Sequence, residues 1–238
     1  MAALYRAPRL TNPIDQALHR PLRSFGRIRG RALKPRQADL ITSLLPRLAI
    51  PPGPFNPHDL APQARETWLE IGFGGGEHLA GQATRNPDVL FLGAEPFVNG
   101  LGSALRHIAQ ADLANVRLHA GDARELLAAL PDASLARVFI LFPDPWPKAR
   151  HQKRRLIQPA FAQEIARVLR PGGTLRIATD WADYADQCLR VMRAAQGFSW
   201  TAQCADDWRK APEDHISTRY EMKRLGDCAP IFLEFARL

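Results

Sequence analysis

The chain of 238 residues is poor in cysteine, poor in acid over its first segment, and without a long apolar run. Its three cysteines, Cys188, Cys204 and Cys228, are odd in number and scattered. No pair has zinc-ligand spacing and no disulfide framework is visible, which sets aside a structural zinc site and an oxidised scaffold. A reducing compartment is the natural expectation. No apolar run reaches the roughly 20 residues that a membrane-spanning helix needs. The opening MAALYRAPRL lacks the apolar core of a secretory signal. We therefore expect a cytoplasmic protein with no membrane contact and no metal. No internal repeat is visible.

Positive charge is what the chain has in excess. The formal net charge is +8, which points to an anionic partner, nucleic acid first. The excess is uneven. From Arg6 to Arg36 the sole acid is Asp15, while Arg20, Arg23, Arg27, Arg29, Arg31, Lys34 and Arg36 crowd among prolines and glycines. Such a segment cannot build a core by itself, so residues 1–36 read as a basic N-terminal arm. It could be an RNA-binding arm, a solvated tail or a transit peptide. The prolines and glycines disfavour the amphipathic helix that a transit peptide needs. Residues 37–238 have the length of one α/β domain and enough chain to bury a full core.

The hydrophobic pattern gives the architecture. Gln37 to Leu48 has helical spacing, and Pro51-Pro52-Gly53-Pro54 ends it. Strands are predicted at Thr67–Ile71, Leu90–Ala94, Val116–Ala120, Ala136–Leu141 and Thr174–Ala178. Helices are predicted between them, from near Gly76, over Gly100–Ala109, over Ala123–Leu130, over Pro159–Leu169 and over Tyr184–Gln196. Pro171-Gly172-Gly173 reads as the punctuation after the Pro159–Leu169 helix. Phe198–Gln203 and Ile231–Ala236 are late strands without a crossover helix. The pattern predicts a doubly wound, mostly parallel seven-stranded sheet with an antiparallel edge strand.

Ligands of such sheets bind beyond the C-terminal ends of the strands. Four predicted strands end near an acid: Glu70, Glu95, Asp122 and Asp144. Glu70 precedes Gly72-Phe73-Gly74-Gly75-Gly76, a loop that lets backbone approach a ligand before a helix. A dinucleotide fingerprint would place its third glycine where Glu77 stands. A glutamate there would repel a pyrophosphate, so the loop suits a ligand without phosphates, such as the amino-acid part of S-adenosylmethionine. Glu95 could accept from both ribose hydroxyls, and Asp122 from the adenine amino group.

Phe142 to Arg155 follows the fourth strand. Pro143, Pro145 and Pro147 stiffen it. Asp144 and Trp146 are thereby held in fixed positions. Trp146 could stack on a base or serve as a buried structural side chain. Lys148, Arg150, Lys153, Arg154 and Arg155 are placed to bind phosphate.

These residues are similar to a known family. LEIGFGGG from Leu69, GAEPF from Gly93, GDAREL from Gly121, FPDPWPKARHQKRR, LRPGG from Leu169, ATDW from Ala178 and TRYE from Thr218 resemble the bacterial tRNA (guanine-N7)-methyltransferases. The proline-framed loop and TRYE are specific, whereas LEIG and LRPGG occur across many methyltransferases. Ala149 stands where many members carry a basic residue. The resemblance implies the class I S-adenosylmethionine-dependent methyltransferase fold and methylation of guanine 46 in the tRNA variable loop. It implies donor contacts at Glu70, Gly72, Gly74, Glu95, Asp122 and Asp144, with Asp144 as the catalytic residue. It implies substrate contacts at Lys148, Asp180, Thr218, Arg219, Tyr220 and Glu221. A methyltransferase of another substrate, or a non-catalytic RNA-binding adaptor on the same fold, are the alternatives. A monomer and a homodimer are both open.

Overall fold

A computed structural model describes residues 25, 26, 28 and 30–238. Arg20, Arg23, Arg27 and Arg29 of the basic arm lie outside the described residues. The arm's last residues, Pro35 and Arg36, open a helix, α1 (Pro35–Ser43).

Among the described residues seven strands form one sheet: β1 (Glu66–Ile71), β2 (Val89–Ala94), β3 (Val116–His119), β4 (Leu135–Leu141), β5 (Leu169–Thr179), β6 (Phe198–Trp200) and β7 (Ile231–Arg237). Their order is β3-β2-β1-β4-β5-β7-β6. The first five run parallel, and β7 is antiparallel to both β5 and β6. Among the described residues the longer helices are α1, α2 (Glu77–Arg85), α3 (Val98–Gln110), α4 (Ala123–Ala129), α5 (Pro159–Val168) and α6 (Ala182–Ala194).

Strands buried on both faces need apolar residues at consecutive positions. Val89–Ala94 supplies them, with all six residues buried. Alternation along each strand then sorts side chains between two cores. Leu69, Ile71, Leu92 and Ile140 pack with Leu127 of α4, Ile165 of α5 and Tyr184 of α6. Trp68, Phe91 and Phe139 pack with Leu79 of α2 and Leu105 of α3. Strand order reverses between β1 and β4, so a crevice opens there at the C-terminal strand ends.

Several boundaries differ from the sequence reading. The helix expected over Gln37–Leu48 breaks at Leu44 into α1 and a turn at Leu45–Leu48. Pro46 has no N–H to continue the ladder. Pro171-Gly172-Gly173 is part of β5 and not a helix stop. Leu169 pairs with Leu135, and the register jumps so that Thr174 pairs with Arg137. Arg170, Pro171 and Gly172 loop out, exposed, with Gly172 at φ 75°. The strands expected to reach Ala120 and Gln203 stop at His119 and Trp200. α6 runs from Ala182 to Ala194, earlier at both ends than expected.

Over β4, β5 and β7 the sheet is covered by an ion network. Arg176 of β5 is buried and pairs with Asp214 (2.7 Å) and Glu234 of β7 (2.8 Å). Arg137 of β4 pairs with Asp214 (2.7 Å) and lies 4.7 Å from the Phe139 ring centre. The Asp214 carbonyl accepts from Gln82 Nε2 (2.6 Å). These bonds fix the irregular segment around Asp214 to the sheet.

Burial raises the Asp214 pKa, but Arg176 and Arg137 more than reverse this and hold it below the usual value. A depressed carboxyl contributes stability above its unfolded pKa of about 4, and that stability is lost as pH falls through the folded value. Asp214→Asn should therefore destabilise the fold at pH 7 by about 1 kcal/mol, because Asp214 is partly exposed and Glu234 stays on Arg176. In urea unfolding the gap from wild type should narrow as pH drops below about 4.

Candidate active site

The crevice at the strand ends is a cleft of about 610 Å³, in the size range of small-molecule sites. Gly72, Gly74, Glu95, Asp122, Asp144 and Trp146 are among its walls. Gly72 (φ 71°) and Gly74 (φ 52°) have left-handed backbones, and a Cβ on either would meet nothing within 4 Å. Their backbone is therefore open toward the cleft, a cradle that a ligand can fill.

Glu95 holds that loop in place. It is 7% exposed, and its carboxylate accepts from Gly74 N–H (2.8 Å) and Phe97 N–H (2.9 Å). Burial pushes its pKa up, the two N–H groups oppose this, and the charges of Asp144 and Glu70 add to the rise. The charges of Asp144 at the rim and of Glu70 behind the floor thus both reach Glu95, which favours a ligand carrying positive charge.

Glu70 and Asp122 are placed differently from a simple ring of strand-end acids. Glu70 is 2% exposed and turned to His78, with Oε2 2.8 Å from Nδ1. It is not among the residues lining the cleft. Asp122 lines the cleft and also caps α4. Its carboxylate accepts from Arg124 N–H (3.0 Å), Nε (2.9 Å) and Nη2 (2.7 Å). Those bonds outweigh burial and depress its pKa.

The loop after β4 forms the opposite wall. Phe142 (φ 52°) and Trp146 (φ 43°) have left-handed backbones, rare for bulky side chains. Between them Asp144 is exposed at the rim. Trp146 is half-buried, with the Arg154 guanidinium 5.0 Å from its ring centre and Phe25 edge-on at 6.4 Å. Lys148, Arg150 and Lys153 are exposed.

Arg155 is a correction to the phosphate-binding set. It is 3% exposed. Its Nε donates to Pro145 O (2.7 Å), Nη1 to Gln187 (2.7 Å) and Nη2 to Asp183 (2.5 Å). The guanidinium lies 4.8 Å from the Tyr184 ring centre. Every branch is spent on tying the loop to α6, which leaves nothing for a phosphate.

The TRYE segment is a capped turn, Arg219–Met222, at the cleft edge. Thr218 Oγ1 accepts from Glu221 N–H (3.2 Å). Arg219 pairs with Glu77 (2.9 Å), and Glu221 is bonded to His215 (2.8 Å). Tyr220 lines the cleft against Phe142, and burial, then Asp180 and Asp144, raises its pKa. Asp180 is buried behind the turn and accepts from Gly226 N–H (2.9 Å). Of the expected substrate residues, Tyr220 lines the cleft; Asp180, Thr218 and Glu221 hold the turn.

Residues not anticipated also take part. Phe25 and Gly26 line the cleft, and the arm is fixed nearby by Val98 N–H to Ile28 O (3.0 Å) and Gly30 N–H to Asn99 Oδ1 (2.9 Å). Phe25 is the sole aromatic residue between Arg6 and Arg36, which was a usable signal. His78 and His215, buried partners of Glu70 and Glu221, left none. Among the described residues no cluster of metal-ligating side chains is present.

A family model described as a putative methyltransferase matches residues 64–232. A tRNA (guanine-N(7)-)-methyltransferase of Caulobacter sp. (strain K31) is 58% identical over 230 residues, covering 96% of this chain and 100% of that protein. One from Hyphomonas neptunium is 49% identical over 216 residues, covering 90% and 99%. Among solved structures, a 16S rRNA (adenine(1408)-N(1))-methyltransferase from Catenulisporales acidiphilia, with cosubstrate SAM, is similar in fold. Its TM-score is 0.55 at 18% identity, over 77% of this chain and 92% of that one.

If Arg155 is a clamp, Arg155→Met should destabilise the protein by about 2 kcal/mol, through the hydrogen bonds to Pro145 O and Gln187 that the buried guanidinium loses; Asp183, exposed, returns to water. The substitution should also open residues 143–154 to limited proteolysis. Urea unfolding and mapping of the first cleavage sites would check both.

Proposed function

The chain belongs to the tRNA (guanine-N7)-methyltransferase family, and from that membership we propose that it moves a methyl group from S-adenosylmethionine to N7 of guanine 46 in the tRNA variable loop. The observation that supports this best is the cleft itself. Open glycine backbone, Glu95 and Asp122 line it, Lys153 stands exposed at its edge, and the exposed Lys148 and Arg150 lie on the same loop. An acidic floor suits a cationic small molecule, and a basic rim suits RNA.

Gly72, Gly74, Glu95 and Asp122 are the residues that would hold the donor, with Glu70 setting the charge beneath. The donor supplies a methyl on a positively charged sulfur; as the sulfur–carbon bond breaks and the nitrogen–carbon bond forms, the positive charge passes to the purine. Guanine N7 offers a lone pair and carries no proton, so no general base is required. The protein's tasks are alignment and accommodation of charge. Asp144, exposed between two strained positions, would face the base and offset the charge it acquires. A carboxylate there can also accept from the N1–H and N2–H2 edge, which adenine lacks. Tyr220 and Trp146 would supply flat walls for the base. Lys148, Arg150, Lys153 and Arg154 would take phosphates, with Arg154 also bound to the aromatic wall.

The test is to incubate the purified chain with unmodified tRNA transcript and S-adenosylmethionine, then digest and analyse nucleosides by mass spectrometry. The expected product is 7-methylguanosine, one per tRNA, in the variable-loop fragment. Methylation of another base or of another tRNA position would contradict the proposal, as would no transfer at all.

A further inference from the structure

Met222 and Leu225 are large apolar side chains left 66% and 57% exposed, and they flank Lys223 and Arg224 just past Tyr220. Single apolar residues on a surface need no explanation. These two differ because their surroundings are fixed. Arg219 is held by Glu77, Glu221 by His215, and Gly226 by Asp180. A Cβ on Gly226 would collide with the Asp180 backbone oxygen. Arg224 completes the turn with its N–H on Glu221 O (3.1 Å) and a left-handed φ of 48°. The inward side of the turn is thus committed to the protein. Met222, Lys223, Arg224 and Leu225, all exposed, are what it offers outward.

Charge says what the outward side meets. Neither Lys223 nor Arg224 has an ion pair among the described residues. The nearby acids are engaged, Glu221 with His215 and Asp227 with Ala182 N–H (2.9 Å). Two uncommitted cations between an apolar pair fit a polyanion that also has flat apolar faces.

Resting on the function proposed above, we propose that Met222 and Leu225 form a wedge for the nucleotides beside the target guanine, with Lys223 and Arg224 on their phosphates. A guanine inside folded tRNA is stacked and must leave the stack to enter a cleft. Side chains such as Met and Leu can enter the opened step and replace part of the lost stacking. Tyr220 lines the cleft two residues from Met222, so the wedge stands beside the path of the extruded base.

The test uses the full chain and two RNAs, folded tRNA and an unstructured oligonucleotide carrying the same guanine. Met222→Ala/Leu225→Ala should lower kcat/KM on folded tRNA tenfold or more. The loss on the oligonucleotide should be less than threefold, because no stack has to be opened. Donor Kd by calorimetry should be unchanged. Lys223→Ala/Arg224→Ala should flatten the salt dependence of log K for tRNA by about 1.4–1.8, two phosphate contacts. Equal losses on both RNAs would overturn the wedge. So would wild-type kinetics combined with a change of oligomeric state in light scattering, which would make the patch a protein contact. A wild-type chain that methylates tRNA while the variant matches it defeats only the wedge; a wild-type chain inactive on tRNA defeats the proposed function as well.

Discussion

A carboxylate taken out of water must be hydrogen bonded, and Glu95 meets that demand with the N–H groups of Gly74 and Phe97. The bond to Gly74 ties the loop after β1 to the end of β2. It holds the glycine backbone in the left-handed form that leaves the cleft floor open. The bond to Phe97 fixes the entry to α3, whose first turn also anchors the arm through Asn99. One buried charge thereby sets floor, helix and arm together. The opposite wall depends on a second buried ion, Arg155, which ties the stiff proline loop to α6.

The two walls divide the electrostatics. Acids converge inward, where Glu95 feels Asp144 and Glu70. Cations stand outward at Lys148, Arg150 and Lys153. In the proposed function a cationic small molecule would be drawn to the floor, and an RNA backbone to the cations outside it. Asp144 sits where the two fields meet, exposed on a loop whose strained Phe142 and Trp146 backbones are held by packing and by Arg155.

The sheet was legible because parallel strands are apolar runs of fixed length, as Val89–Ala94 is. The cleft was legible because strand ends and glycines are local features. What escaped was long-range. Arg155 reads as one cation in a run, and only its distance from Asp183 and Gln187 shows that it is a clamp. Pro171-Gly172-Gly173 has the composition of a helix stop, yet sheet pairing on both sides makes it an excursion within β5. Asp122 reads as a ligand acid, and only the structure shows that its carboxylate also caps α4. Burial of Glu70 against His78 depends on packing between β1 and α2 that no spacing displays.

In the proposed function Glu95 grips the donor and Asp144 faces the reacting base. The most direct test is to measure donor Kd by calorimetry, and single-turnover methylation at saturating donor and tRNA, for Glu95→Gln and Asp144→Asn. A glutamine at position 95 keeps the shape but turns a donor toward one of two N–H groups. Loss of a charge-assisted bond, about 1.5–3 kcal/mol, should weaken donor binding tenfold or more while leaving much of the saturated rate. Asp144→Asn should lower the saturated rate by about a hundredfold, the scale of losing one preorganised electrostatic group, with a smaller change in donor Kd. An Asp144→Asn enzyme with the wild-type saturated rate, or a Glu95→Gln enzyme with the wild-type donor Kd, would contradict this division.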